Sequence, residues 1–185
     1  AMMALKYKKH IYLEKPMIRT FQEAELLMEM ARRNPTVATQ VGNQGHSEAN
    51  YFQFKAWMEA GIIKDVTAVT AHMNNSRRWH AYDPDMIKMP EGEDIPKNMD
   101  YDTWHGGVRY HNYSKLYHQG DWRSWYDFGM GALGDWGAHI LDTVHEFLQL
   151  GLPYEINMLY ANKHNECFYP CSSTILFRFG ARGNM

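Results

Sequence analysis

Apolar residues recur along this chain with two different periods, and the switches between them outline its elements. Met3, Leu5 and Tyr7 in "AMMALKYKKH" read as the tail of a helix, since no turn residues open a new element there. "HIYLEKP" is a short strand-like run. "TFQEAELLMEMARRN" has helical periodicity behind Thr20 as N-cap, with Glu23 at the capping-box position. "TVATQVGNQG" is a second strand that runs into a glycine turn. Strand, helix and strand at that spacing predict a parallel βαβ unit.

"SEANYFQFKAWMEAG" predicts another helix, with Ser47 as N-cap and Gly61 as its stop. "DVTAVTAHMNN" alternates Val66, Ala68 and Ala71 or Met73 with Thr and His, the pattern of a strand with one solvated or ligand-facing side. From Ser76 to about Tyr126 no period is sustained, and an irregular segment of that length in a compact domain is uncommon unless it is functional. "ALGDWGAHILDTVHEFLQLG" predicts one continuous helix with Ile140, Val144, Phe147 and Leu148 as its apolar stripe, closed by Gly151 and Pro153. "YEINMLYAN" and "SSTILFRFG" alternate as strands. No repeat and no low-complexity tract interrupts the series.

Composition narrows the function classes. The 19 basic and 21 acidic residues are interspersed and leave a formal charge of -2, so the basic footprint of a nucleic-acid binder is missing. No apolar run approaches the ~20 residues of a membrane span, and the first residues lack the apolar core of a signal peptide. Neither nucleic acid nor membrane is expected as a partner. Cys167 and Cys171 in "ECFYPC" are too few for a disulfide framework and lack the second pair of a structural zinc site, so no metal is expected. Six Trp, twelve Tyr and ten His concentrate between Trp79 and His145. Rings with polar edges suit a sugar-like ligand, and they serve equally as core and interface residues.

Two stretches carry candidate chemistry. In "GALGDWGAHILD", Asp135 and His139 fall four apart on one helix face, and Asp142 follows at a neighbouring angle. Gly131, Gly134 and Gly137 thin that helix at ~1 kcal/mol of propensity for each interior glycine, and they allow backbone or ligand to approach closely. The bland alternative is an Asp that charges the helix start and a histidine satisfied in the core. "EKP", Glu14 to Pro16, follows a strand at the edge where open α/β sheets bind ligands. Lys15 there is placed to polarise an oxygen or transfer a proton, and Lys15-Pro16 is a candidate cis peptide; the alternative is a surface lysine at a strand end.

Taken jointly, EKP after a short strand, "QVGNQG" after the next, and "GALGDWGAHILD" much later resemble the Gfo/Idh/MocA family of nicotinamide-dependent oxidoreductases. The resemblance implies an α/β fold: the remainder of a Rossmann-type parallel sheet over residues 1–45, then an α/β substrate domain with an open, mostly antiparallel sheet over 46–185. It implies NAD or NADP as cofactor, with Glu14, Lys15, Pro16, Asn43 and Gln44 at the nicotinamide end. Lys15, Asp135 and His139 take the catalytic positions: a lysine on the reacting hydroxyl, a substrate-orienting carboxylate and a general acid/base. The "DWRSWYDFG" run resembles the carbohydrate-acting branch, with Trp122, Arg123 and Asp142 as expected substrate contacts.

The resemblance therefore implies hydride transfer between a nicotinamide and a hydroxyl of a sugar, glycoside or cyclitol, in a homo-oligomer formed through the open sheet. G-x-G-x-x-G is absent at the required place, so the chain reads as an internal fragment whose pyrophosphate cradle lies upstream of Ala1. The sequence assigns no compartment: cytoplasmic and, with a signal before Ala1, periplasmic are both left open. Two rival readings remain. One is a glycosidase that oxidises its substrate transiently, with Tyr110, Tyr113, Tyr117 and His118 around the leaving sugar; the other is a non-catalytic carbohydrate- or partner-binding fragment.

Overall fold

A computed structural model describes residues 1–73, 85 and 88–182 and divides the chain into two compact units. The first comprises Ala1–Val69 with Ala138–Leu148; the second comprises Thr70–Gly137 with the chain from Gln149 onward.

The first unit holds the predicted βαβ arrangement. Helix α1, Met2–Lys6, buries Leu5 and leads into strand β1, Ile11–Leu13. Helix α2, Phe21–Arg32, starts where the sequence placed it: the Glu23 N–H donates to Thr20 Oγ1 at 3.2 Å and the Thr20 N–H returns to Glu23 Oε2 at 3.1 Å. This reciprocal pair satisfies two of the amides that every helix start leaves open. Strand β2, Thr39–Val41, then lies parallel to β1 with Ile11 opposite Thr39 and Leu13 opposite Val41.

A 3₁₀ turn, Gln44–Ser47, precedes helix α3, Ala49–Glu59. Ser47 is not the N-cap. The 3₁₀ turn consumes it, so the cap falls to Glu48, whose side chain makes no capping bond. Gly61 does stop the helix, one residue past the C-cap Ala60, at φ +67° where a Cβ would be strained. Helix α6, Asp142–Phe147, packs Phe147 against Tyr51 and Phe54 of α3, with ring centroids 5.1 and 5.4 Å apart.

The second unit is built around aromatics. Trp125 and Phe168 are fully buried with Tyr117 and Cys167, and Trp104, Trp122 and Phe128 pack against them. Trp125 Nε1 donates to the Leu116 carbonyl at 3.1 Å, so the indole is buried without an orphaned donor. Burial pushes the Cys167 thiol up, in keeping with a packing residue. Strands β3, Glu155–Asn162, and β4, Ser172–Arg178, pair antiparallel from Glu155 opposite Arg178 to Asn162 opposite Ser172, with an irregularity between Met158 and Tyr160.

Three expectations are corrected. Among the described residues, 66–73 join neither sheet, and Ala68 and Ala71 are as exposed as their neighbours, so the alternation does not mark a buried strand face. Asn74 and Asn75, the end of that stretch, lie outside the described residues. The irregular segment contains helix α4, Tyr101–His105, capped by Asp100, and a ten-residue 3₁₀ run, Lys115–Ser124, capped by Ser114. Elements this short show no period in the sequence. Finally, the continuous helix from Ala132 breaks at Leu141 into helix α5, Gly131–Ile140, and α6. Asn43 donates to the Ala138 carbonyl at 2.8 Å, and a side chain inserted into the ladder is a known cause of such breaks.

Candidate functional site

The C-terminal ends of β1 and β2 bring two turns together. Gly42 N–H donates to the Leu13 carbonyl at 2.8 Å, which sets Glu14-Lys15-Pro16 beside Gly42-Asn43-Gln44. A Cβ on Gly42 would come within 2.8 Å of Glu14 Oε1 and of the Tyr12 ring, so alanine there would push both side-chain ends aside. The Lys15-Pro16 peptide is cis, as the sequence suggested. In parallel α/β sheets this edge is where ligands bind.

Asn43 and Asp142, predicted for cofactor and substrate, meet each other. Asn43 Nδ2 donates to Asp142 Oδ2 at 2.7 Å and to the Ala138 carbonyl at 2.8 Å. Both partners are acceptors, which fixes the amide with Nδ2 toward them and turns Oδ1 away. Asn43 Oδ1 is buried and has no hydrogen-bond partner among the described residues. An acceptor in that state carries a desolvation penalty that a bound donor would relieve. Asp142 Oδ2 is thus engaged by the protein itself.

Three further side chains complete this cluster. His46 Nε2 bonds Asp142 Oδ2 and lies 3.6 Å from Glu146 Oε2, one turn further along α6. Tyr51 donates its hydroxyl to Glu146 Oε1 at 2.9 Å and stacks on the His46 ring at 4.8 Å. That hydrogen bond to Glu146 raises the Tyr51 phenol above its ordinary value, helped by partial burial and the two nearby carboxylates. His46, Tyr51 and Glu146 escaped the sequence analysis. A signal for Glu146 was there, because two acids four apart on a helix repel and invite a donor between them. Nothing in the spacing ties His46 to a residue 96 positions away.

The second unit gathers Trp122, Arg123 and Asp135. Asp135 is buried on α5, with Arg123 Nε 3.3 Å from its Oδ2. The Nε–H is not aimed along that line and has no hydrogen-bond partner among the described residues, so the contact is an ion pair and not a hydrogen bond. Arg123 also lies over the Trp122 ring at 4.3 Å and donates from Nη1 to the Gly120 carbonyl at 3.4 Å. Gly129 leaves room for the Arg123 backbone, which a Cβ there would overlap.

His139 sits one residue before the end of α5, on the part of the helix that belongs to the first unit, as do Lys15 and Gln44. It lies four positions after Asp135 on the same helix. Of the rings suggested as sugar contacts, Tyr113 and Tyr117 are buried and Tyr110 is exposed. The first two are core residues, because the aromatic cluster is the packing of this unit.

Residues 49–171, well over half of the chain, match a protein-family model described as "Oxidoreductase family, C-terminal alpha/beta domain". No curated protein matches the chain.

Proposed function

From the premise that this chain belongs to the Gfo/Idh/MocA oxidoreductase family, we propose that it transfers hydride between a nicotinamide cofactor and a hydroxyl of a sugar, glycoside or cyclitol. The observation that carries this reading is the paired turn at the C-terminal edge of β1 and β2, which sets Glu14 and Lys15 beside Asn43.

Glu14, Lys15, Pro16, Asn43 and Gln44 would hold the nicotinamide end of NAD or NADP. Two features support the fit: the Glu14 carboxylate lying against Gly42 at the turn, and the buried acceptor Asn43 Oδ1 with no hydrogen-bond partner among the described residues. When bound, a nicotinamide supplies a two-electron hydride acceptor or donor. The chain's own residues handle the proton. His139 takes it from the reacting hydroxyl, and Lys15 stabilises the alkoxide-like oxygen with its positive charge. Asp135 keeps the role of substrate-orienting carboxylate, with its direction set by Arg123. Trp122 offers a ring face to a sugar's C–H side. A homo-oligomer through the β3–β4 sheet fits the exposure of Ile156, Met158 and Leu159, and light scattering would measure it.

General acid/base assistance is worth ~10²- to 10⁴-fold, so in the full-length protein His139→Ala should lower turnover with NAD or NADP and a cyclitol or sugar by at least about 100-fold. Unchanged turnover would remove His139 from the chemistry.

A further inference from the structure

We propose that His46 is a positioning residue for this reaction, one that holds Asn43 in place through a shared carboxylate oxygen of Asp142. The inference rests on the nicotinamide reading above for its purpose, though not for its geometry.

Asp142 Oδ2 accepts from two donors, the Asn43 amide and His46 Nε2. Glu146 follows one turn later on α6, and its Oε2 is 3.6 Å from the same imidazole nitrogen. Two carboxylates at that spacing repel, and the repulsion would swing Asp142 away from Glu146 and out of line with Asn43. An Nε2–H between them removes the motive for that swing. With Nε2 facing two acceptors, the neutral ring carries its proton there. Tyr51 fixes the other side of the arrangement, stacked on His46 and hydrogen-bonded to Glu146 Oε1 at 2.9 Å.

The chain of contacts therefore runs Tyr51, Glu146, His46, Asp142, Asn43, and it ends on the carbonyl of Ala138, the residue before His139. One network sets the turn proposed to meet the nicotinamide and the helix end that bears the proposed acid/base. His46, Asp142 and Glu146 are each roughly 35–45% exposed, so their ion pairing contributes little to stability. What the network supplies is direction.

Two substitutions separate its parts. His46→Phe keeps a ring to stack on Tyr51 and loses the donor; His46→Gln keeps an N–H near the position of Nε2 and loses the ring. Exchange of the Asn43 side-chain amide protons, followed by NMR on this chain without ligand, should be about tenfold faster in His46→Phe and close to the unmodified rate in His46→Gln. The thermal midpoints of both should stay near the unmodified value. NADH binding, followed by nucleotide fluorescence, should weaken about tenfold in His46→Phe and little in His46→Gln. An unchanged Asn43 exchange rate in His46→Phe, or the same loss in both variants, would overturn the proposal and leave His46 as a stacking residue. If exchange responds as expected while the full-length protein does not bind NADH, the hold on Asn43 stands and the nicotinamide reading falls.

Discussion

The side-chain amide of Asn43 donates to the backbone carbonyl of Ala138 across 2.8 Å, although 95 residues separate the two in sequence. In an uninterrupted helix that carbonyl would accept from the N–H of Asp142. Asn43 stands in for that rung at the junction of α5 and α6, and its other amide proton goes to the Asp142 carboxylate. The break places Asp142 at the first position of α6, where the helix dipole favours a negative charge.

Asn43→Ala removes both donations and also the orphaned Oδ1. Urea unfolding should show a loss of about 1–3 kcal/mol. Asn43→Asp keeps the size but faces a second carboxylate at hydrogen-bond distance, so at neutral pH it should be the less stable variant. Its extra loss should shrink as the pH is lowered, because protonating the introduced acid relieves the repulsion and restores a donor to Asp142. Equal stability of the two variants at neutral pH would show that Asp142 is not held by Asn43.

Gly42→Ala tests the cofactor edge with little change in the fold. The added Cβ would meet Glu14 Oε1 and the Tyr12 ring, both ends of exposed side chains that can move aside. The stability change should stay within about 0.5 kcal/mol, the range of surface substitutions. Displacing Glu14 should nonetheless weaken NADH binding several-fold, read by nucleotide fluorescence. Unaltered affinity would separate Glu14 from the nicotinamide end.

These relationships divide by how far apart in sequence their members lie. Thr20 and Glu23 were legible because a capping box is complete within four residues, and the parallel pairing of β1 with β2 followed from the spacing of strand, helix and strand. The cis peptide at Lys15-Pro16 was readable for the same local reason. Asn43 was singled out for a ligand, but its grip on Ala138 and Asp142 depends on how α6 meets the turn after β2, which no local pattern encodes. The continuous helix was misread on that account: its apolar stripe runs across Leu141, while the cause of the break comes from elsewhere in the chain. Residues 66–73 show the converse limit, an alternating pattern that marks no buried strand face.

Arg123 and Asp135 should behave as a coupled pair. Arg123→Met removes the guanidinium that faces a buried carboxylate, a change that costs about 3–5 kcal/mol in fully buried pairs. Here Arg123 is 23% exposed and its Nε–H is misaligned, so a loss of about 2–3 kcal/mol is expected. Asp135→Asn added to Arg123→Met should recover part of that loss, since the buried charge that Arg123 faced is gone. Denaturant unfolding of both single variants and the double variant measures the coupling. Strictly additive losses would mean that the two charges do not act on each other.

Tyr101 and Tyr117 make opposite predictions despite similar burial. Burial pushes the Tyr101 phenol from 10.0 up to about 12, and the Tyr117 phenol higher still, in each case with smaller contributions from neighbouring acidic groups. A phenol raised in the folded state adds stability that is fully present below its unfolded value of 10.0 and is lost as pH rises through the folded value, about 12 for Tyr101. Tyrosinate absorbance should therefore show Tyr101 and Tyr117 ionising only as circular dichroism reports unfolding. The hydroxyls differ, because Tyr101 donates to the His111 carbonyl at 2.9 Å whereas the Tyr117 hydroxyl has no partner among the described residues. Tyr101→Phe should cost about 1 kcal/mol through the lost bond, and Tyr117→Phe should be neutral or stabilising by removing an unsatisfied buried polar group. A destabilised Tyr117→Phe would mean that the hydroxyl is satisfied in solution, by water or by a ligand.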